Sequence, residues 1–225
     1  MLRRLSITAL ASLLLVIACG DDDTTATTAA TTEYGRFRAQ TTACGATQPA
    51  AARQLSFPAA EDLRITATVA VTLHTSCGDI VIELQTDRAP ITVNSFVFLA
   101  EQGYFDGTVS HRIVSGFVVQ LGDPTATGTG FPGYRIPDEL PPADFTYTTG
   151  VVAMANGGPD TGGSQFFIVF NDIVLDPNYT VFGQVTAGLD VLERIAAIPV
   201  EVNPRTLEPS LPLETLYIDS IAISR

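Results

Sequence analysis

The fold is decided by two stretches, SHRIVSGFVVQLGD at residues 110–123 and MANGGPDTGGSQFFI at residues 154–168. Each places isolated polar side chains among aromatic and aliphatic residues. If the first stretch is one continuous strand, alternate side chains share a face, and these are Arg112, Val114, Gly116, Val118 and Gln120. An arginine among apolar neighbours needs a hydrogen-bond partner, and Gln120 is the candidate acceptor. The alternative is a structural arginine in a surface ladder.

Short strands are predicted on both sides of these stretches. Residues 65–73 alternate apolar with polar or small side chains, residues 80–84 (IVIEL) form a second strand-like run, and a turn at Cys77–Asp79 separates them. This pattern predicts a β-hairpin. Further strand-like runs, separated by Gly, Pro and Asp, are His111–Gln120, Val151–Ala155, Gln165–Phe170, Tyr179–Gln184 and Leu216–Ile223.

Two helices are predicted by apolar spacing. Val93, Phe96, Val97 and Ala100 follow the i, i+3, i+4, i+7 pattern within a segment that opens at Thr92 and is closed by Gly103. A second, shorter helix has its inward face formed by Leu189, Leu192 and Ile195. Many short strands with two helices favour the mainly-β class, as a closed β-barrel capped at its ends.

The two deciding stretches resemble the two signature stretches of the cyclophilin family of peptidyl-prolyl isomerases. The likeness continues in APITVNSFVFLAEQGYFDG at residues 89–107 and VFGQVTAGLDVLERI at residues 181–195, and it covers roughly residues 64–225. The resemblance implies an eight-stranded antiparallel barrel with a helix at each end. It also implies a site on the outer face of the barrel that uses no metal and no cofactor.

Residue roles follow from the resemblance, position by position. Arg112 matches the catalytic arginine of the family, and Gln120 matches the residue that orients both arginine and substrate. The proline ring would lie among Phe117, Val118, Phe167 and Leu175. The backbone of the substrate would be held by Ala155 and Asn156, with Gln165 lining the groove and Tyr179 at the rim.

Several positions depart from the usual family pattern. Val174 stands where many members carry Trp, so we expect weak cyclosporin binding. Tyr179 replaces a rim His and Val118 a common Met. Ser110 replaces a Phe, and Leu121 replaces a Gly, a change that is expected to alter the turn after Gln120.

The N-terminal segment predicts export and a lipid anchor. Arg3 and Arg4 precede an apolar run over residues 5–18, which is shorter than the roughly 20 residues of a membrane-spanning helix. Ala18 followed by Cys19 at the end of this run resembles the bacterial lipobox. Residues 1–18 are therefore predicted to be a signal peptide, with Cys19 lipidated. An ordinary secretory signal is the alternative.

The rest of the N-terminal region divides by composition. Residues 19–33 hold three Asp and a Thr/Ala run, which predicts a flexible linker, and residues 34–63 form an N-terminal extension before the isomerase-like domain of residues 64–225. With Cys19 lipidated, Cys44 and Cys77 are left as a pair in an oxidising compartment. We predict a disulfide between them, and two free thiols are the alternative.

Composition excludes several classes of function. The chain has 225 residues, with 12 Arg and no Lys against 24 acidic residues, and a net charge of −12 argues against nucleic acid as a partner. Two His and three Cys are too few for a zinc ribbon.

Two motifs of other enzyme classes are incomplete. The glycine pattern at residues 128–133 lacks the strand–helix context of a dinucleotide site. The pair His111 and Ser164 lacks the nucleophile-elbow pattern of a hydrolase.

Together these observations predict an extracytoplasmic, membrane-anchored bacterial lipoprotein, monomeric and touching the membrane only through its anchor. Its function is predicted to be the acceleration of X–Pro rotation in exported proteins, with Pro-containing segments as partners. The alternative is a catalytically weak binding module or chaperone for such segments.

Overall fold

The computed structural model describes residues 32–225. Within this range the chain forms three α-helices and ten strands. The helices are α1 (Glu33–Arg38), α2 (Pro90–Glu101) and α3 (Leu189–Ala196), and Ala43–Gly45 forms a single 3-10 turn. The strands are β1 (Val69–Thr75), β2 (Gly78–Leu84), β3 (Arg112–Val114), β4 (Val118–Leu121), β5 (Val151–Met154), β6 (Phe166–Val169), β7 (Val181–Ala187), β8 (Val200–Val202), β9 (Pro209–Pro212) and β10 (Ile218–Ser224).

Eight strands form one curled sheet in the order β10-β1-β2-β7-β5-β6-β4-β3, and all neighbours are antiparallel. The mainly-β, antiparallel prediction is therefore confirmed. The segments that lead into the two outer strands meet along a seam, which we define as residues 107–110 against residues 216–218. There Val109 bridges Tyr217, and Ser110 N–H donates to Leu216 O at 2.9 Å. Within residues 32–225 no continuous ladder joins β3 to β10, so the sheet is curled rather than fully closed.

Helix α2 packs its buried side chains into the main hydrophobic core against the curled sheet. It begins at Pro90, two residues before the predicted start, because the fixed φ of proline suits the first helical position. The ring of Phe96 lies 5.0 to 5.4 Å from those of Phe105, Phe166 and Phe182. These aromatic contacts anchor the helix to the strands that carry the site.

The first hairpin forms as predicted but is displaced along the chain. Strand β1 starts at Val69 rather than Ile65, because its partner strand β2 ends at Leu84, which pairs with Val69. Residues upstream of Val69 therefore have no neighbouring strand to join.

The stretch from residue 112 to residue 120 is not the continuous strand that was predicted. It is a hairpin, β3–β4, in which Gly116 adopts a φ of +72° and Phe117 N–H donates to Val114 O at 2.9 Å. Positive φ is readily adopted by glycine, so the chain reverses here. Arg112 and Gln120 are thus direct cross-strand partners instead of members of one strand face.

The N-terminal extension packs against the seam and is fastened by a disulfide. Helix α1, which the sequence pattern did not predict, buries Phe37 in a cluster with Val109 and Tyr217. Cys44 and Cys77 are disulfide-bonded, with their Cα atoms 5.1 Å apart.

Most of the predicted N-terminal organisation lies outside the described residues. This applies to the signal peptide at 1–18, the lipid site at Cys19 and the linker up to residue 31. Thr32 and Glu33, which the linker prediction included, form the N-cap and first residue of α1. No helix within residues 32–225 is long and apolar enough to cross a bilayer.

Candidate active site

A pocket of about 140 Å³ opens on the outer face of the sheet. It is lined by nine of the ten predicted substrate and catalytic residues: Arg112, Phe117, Val118, Gln120, Ala155, Asn156, Phe167, Leu175 and Tyr179. Strands β3, β4 and β6 contribute four of these side chains, and the adjoining turns and loops contribute the others. The structure thus brings together residues that lie up to 67 positions apart in the sequence. Their roles in binding and catalysis stay predictions.

The floor of this pocket is apolar and closely packed. Val118 and Phe167 are buried in a cluster separate from the main core, and Phe117, Leu175 and Tyr179 pack against it half-exposed. The rings of Phe167 and Tyr179 meet edge to face with their centroids 5.4 Å apart. Such a surface suits a small apolar ring that enters from solvent.

Arg112 lies at the polar end of the pocket and is held by an ion pair. Its Nε donates to Glu208 Oε2 at 2.7 Å and its Nη2 to Glu208 Oε1 at 2.8 Å. Its Nη1 lies 3.4 Å from Gln120 Oε1. Both partners of the ion pair are about 30% exposed, at 28% for the side chain of Arg112 and 30% for that of Glu208.

Glu208 is the site residue that sequence reasoning missed. It comes from the loop between β8 and β9, in a segment with no predicted element, and it contacts Arg112 across 96 positions of sequence. Hydrogen bonds from Arg112 hold the pKa of Glu208 below its usual value of 4.5, against the opposing effect of burial. A lone glutamate before a proline carries no local signal, so only the fold reveals the contact.

A chain of side-chain amides fixes Gln120. Its Nε2 donates to Gln165 Oε1 at 2.9 Å, and Gln165 Nε2 donates to Gly130 O at 2.9 Å. The loop that carries Gly130 is itself organised by the buried carboxylate of Asp123, which accepts from the N–H groups of Thr125, Gly128 and Gly130. The amide orientation of Gln120 is therefore determined by its neighbours.

Gln165 lines a second cavity that adjoins the pocket. This groove of about 280 Å³ shares Gln120, Ala155 and Asn156 with the pocket. The N–H of Ala155 donates to Gln165 O at 2.9 Å within the protein. Asn156 Nδ2 donates to Asn178 O at 2.9 Å and so braces the rim.

The departures from the family pattern have clear places in the structure. Val174 is fully exposed at the rim, beside Leu175 in the pocket wall. Leu121 is wholly buried in β4, and the turn follows at Gly122, where a Cβ would lie 2.3 Å from Ser164 O. Ser110 Oγ donates to the backbone of Gln120 at 2.9 Å and of Arg112 at 3.1 Å, which ties the two strands together.

The competing sequence patterns have no catalytic geometry. Residues 128–133 form the loop that Asp123 organises, with no helix following them. Ser164 Oγ donates to Gly122 O at 2.7 Å, and the Nδ1 atom of His111 is buried without a hydrogen-bond partner in the described part of the chain. Burial lowers the pKa of His111 below 6.5.

Comparison with protein families gives one match over most of the described domain. Residues 70–216 match the family described as "Cyclophilin type peptidyl-prolyl cis-trans isomerase/CLD". Among curated relatives, peptidyl-prolyl cis-trans isomerase-like 3 of Gallus gallus is 44% identical over 159 residues, which are 69% of this chain and 96% of the relative. The probable peptidyl-prolyl cis-trans isomerase B of Mycobacterium tuberculosis is 44% identical over 145 residues, which are 58% of this chain and 47% of that protein.

Solved structures give the same result. A crystal structure of a cyclophilin type peptidyl-prolyl cis-trans isomerase from Cryptosporidium parvum aligns with a TM-score of 0.63 and 30% identity, covering 71% of this chain and 99% of that one. A second crystal structure of that protein, in the presence of the dipeptide Ala-Pro, aligns with a TM-score of 0.63 and 31% identity over 69% of this chain and 99% of that one.

Proposed function

The chain belongs to the cyclophilin type peptidyl-prolyl cis-trans isomerase family, and from this premise we propose that it accelerates X–Pro rotation in exported proteins, with Arg112 as the catalytic donor. The crystal structure of a relative in the presence of Ala-Pro supports a substrate of this kind. The arrangement of Arg112 beside the apolar pocket carries the proposal.

The chemical task is to weaken amide conjugation. Rotation about a peptide bond has a barrier of about 18–20 kcal/mol, and uncatalysed X–Pro exchange takes tens to hundreds of seconds. Bringing this exchange to milliseconds needs an acceleration of about 10⁴–10⁵, or roughly 6–7 kcal/mol of selective transition-state stabilisation. No covalent intermediate is required.

The site can supply this stabilisation by positioning and electrostatics. The proline ring enters the apolar pocket and is held there, while the carbonyl part of the bond rotates. In the twisted state the proline nitrogen becomes pyramidal and basic, so a fixed N–H donor of Arg112 stabilises it and opposes conjugation. A donor that is oriented beforehand needs little reorganisation when the bond twists.

An exchange assay tests the proposal. NMR exchange spectroscopy on a Pro-containing peptide is compared for wild type, Arg112→Ala and Arg194→Ala, the last being an exposed arginine on α3 that pairs with Asp190. Arg112→Ala is expected to lower kcat/KM by about 10²–10³, while Arg194→Ala matches wild type. A wild-type rate equal to that of buffer would overturn the proposal.

The second candidate is a binding module with little turnover. One observation favours it: Glu208 already occupies Nε and Nη2 of Arg112, which reduces the donors that are free for a substrate. The same assay separates the two functions. A binding module would hold the peptide with an unchanged affinity in Arg112→Ala and show no exchange above buffer in wild type.

The cellular setting is part of the proposal. It is supported by the lipobox-like sequence at Ala18–Cys19 and by the disulfide Cys44–Cys77, which belongs in an oxidising compartment. Expression of the full chain in a bacterium, followed by membrane fractionation and mass spectrometry of the mature N-terminus, tests it. Wild type is expected in the membrane fraction with a lipidated Cys19, whereas Cys19→Ser is not lipidated. An unmodified wild-type N-terminus would contradict the anchor.

A further inference from the structure

The guanidinium of Arg112 is engaged side-on by one carboxylate. Glu208 accepts from Nε and Nη2 at 2.7 and 2.8 Å, so both oxygens of the carboxylate are used. Nη1 remains, with Gln120 Oε1 as a distant partner at 3.4 Å. Since the guanidinium is planar, this two-point contact determines the direction in which Nη1 points.

The backbone of Glu208 is held in place without help from Arg112. Glu208 O accepts from Asn203 N–H at 2.8 Å, and Leu207 N–H donates to Asn203 O at 2.8 Å, which closes the loop between β8 and β9. Arg205 of the same loop pairs with Glu33 of α1. The carboxylate therefore starts from a well-defined loop that the N-terminal extension also touches.

We propose that Glu208 is a positioning residue, which holds the guanidinium of Arg112 so that Nη1 is the donor presented to the twisted X–Pro bond. This inference rests on the proposed isomerase function and adds a residue to it. Glu208 does not line the pocket, so it acts through Arg112 and not on the substrate itself.

The negative charge of Glu208 acts in the opposite direction, so the direction of the change in kcat decides between the two effects. A carboxylate beside the guanidinium reduces the positive potential at the pocket, which weakens transition-state stabilisation. If this charge effect were the larger, removing Glu208 would raise kcat. If orientation is the larger effect, as we propose, removing Glu208 lowers kcat and leaves binding in the apolar pocket almost unchanged.

The kinetic test compares Glu208→Ala, Glu208→Gln and the control Glu201→Gln in the full chain. Glu201 is an exposed glutamate of β8 on the same hairpin, and it lines the same large cavity as Arg112. Within the described residues it forms no hydrogen bond or ion pair with Arg112, so its substitution makes the same charge change while the Arg112–Glu208 ion pair stays intact. We expect Glu208→Ala to lower kcat roughly tenfold with KM within about twofold of wild type. The kcat of Glu208→Gln is expected to lie between those of wild type and Glu208→Ala, because the amide oxygen of glutamine still accepts from one of the two N–H groups of Arg112.

A spectroscopic readout reports on the geometry itself. The Nε–Hε resonance of Arg112 in ¹⁵N-labelled protein, assigned by its absence from Arg112→Lys, is expected to be protected from solvent exchange in wild type and in Glu201→Gln. It is expected to exchange faster in Glu208→Ala. Unchanged thermal unfolding midpoints show that any kinetic loss does not come from misfolding.

The outcomes separate this inference from the function on which it rests. A wild-type rate equal to buffer overturns both. An active wild type with kcat unchanged or raised in Glu208→Ala overturns the positioning role alone, as does a loss confined to KM. A fall in kcat together with faster exchange at Nε–Hε supports it.

Discussion

Arg112 and Gln120 face each other as cross-strand partners at the open end of the β3–β4 hairpin, with Arg112 Nη1 3.4 Å from Gln120 Oε1. The pairing places a cation and an amide at the mouth of an apolar pocket. Ser110 reinforces this cross-strand pairing, since its hydroxyl donates to the backbone carbonyls of both Arg112 and Gln120. The separation of the two polar groups is therefore set by the sheet.

Gln120 is expected to contribute to catalysis less than Arg112 does. Gln120→Ala removes one hydrogen bond that orients the guanidinium, so kcat/KM is expected to fall about 5- to 10-fold. NMR exchange spectroscopy on a Pro-containing peptide measures this fall in kcat/KM. Gln184→Ala is the control, because the side-chain amide of this half-buried residue on β7 donates only to Thr149 O among the described residues. A loss as large as that of Arg112→Ala would contradict this ranking of the two residues.

The wall of the pocket offers a matched pair of substitutions. Leu175 lines the pocket, whereas the neighbouring Val174 is fully exposed. Leu175→Ala removes apolar area from the bound state and is expected to weaken peptide binding about fivefold, equivalent to roughly 1 kcal/mol. Val174→Ala is expected to bind as wild type does. Isothermal titration with an Ala-Pro peptide measures both, and equal affinities for the two variants would place the proline ring elsewhere.

Acid sensitivity is expected from His111. Burial lowers its pKa, with Asp123 opposing and Arg112 adding to the shift, so the folded chain takes up the proton at lower pH than the unfolded chain. The stability that neutral His111 contributes is therefore complete above about pH 6.5 and is lost as pH falls towards the folded pKa.

Chemical denaturation between pH 8 and pH 5 measures this effect. The free energy of unfolding of wild type is expected to fall below pH 6.5 with a slope of at most about 1.4 kcal/mol per pH unit. In His111→Leu the slope should be reduced. An identical slope in the variant would assign the titration to another group.

The disulfide is expected to provide a measurable share of the stability. It closes a loop with a sequence separation of 33 residues, for which the chain-entropy estimate is about 3–4 kcal/mol. Urea unfolding of the double variant Cys44→Ser/Cys77→Ser should show this loss relative to oxidised wild type. Reduced wild type should behave like the variant. Coincident unfolding curves for all three would show that the bond does not stabilise the fold.

The sequence was sufficient for the mainly-β class and for most of the pocket residues, but not for the main partner of Arg112. Alternation at β1 and the spacing of Val93, Phe96 and Val97 are local patterns, and local patterns predict strands and helices. The pocket residues followed from a family resemblance that supplies long-range placement. Glu208 has neither kind of signal, since its contact with Arg112 depends on how an unpredicted hairpin folds back.

The reversal at Gly116 shows a second limit. An apolar stretch with a single glycine is compatible with one strand or with two, and periodicity does not distinguish them. What decides is the register of β4 against β6, where Gln120 pairs with Phe167. That pairing exists only in the assembled sheet. Helix α1 was missed for a similar reason, because its one buried residue, Phe37, makes its contacts with Tyr217 and Val109 far along the chain.

The seam bears on whether copies of this chain associate with one another. A curled sheet that is not fully closed carries two edge strands, and exposed edges are templates for intermolecular pairing. The N-terminal extension covers the seam. Phe37 is buried against Tyr217 and Val109, and Tyr34 Oη donates to Gly107 O at 2.8 Å. We therefore expect the N-terminal extension to limit self-association, and we expect a chain shortened to begin at β1 to expose this part of the sheet and to aggregate more readily.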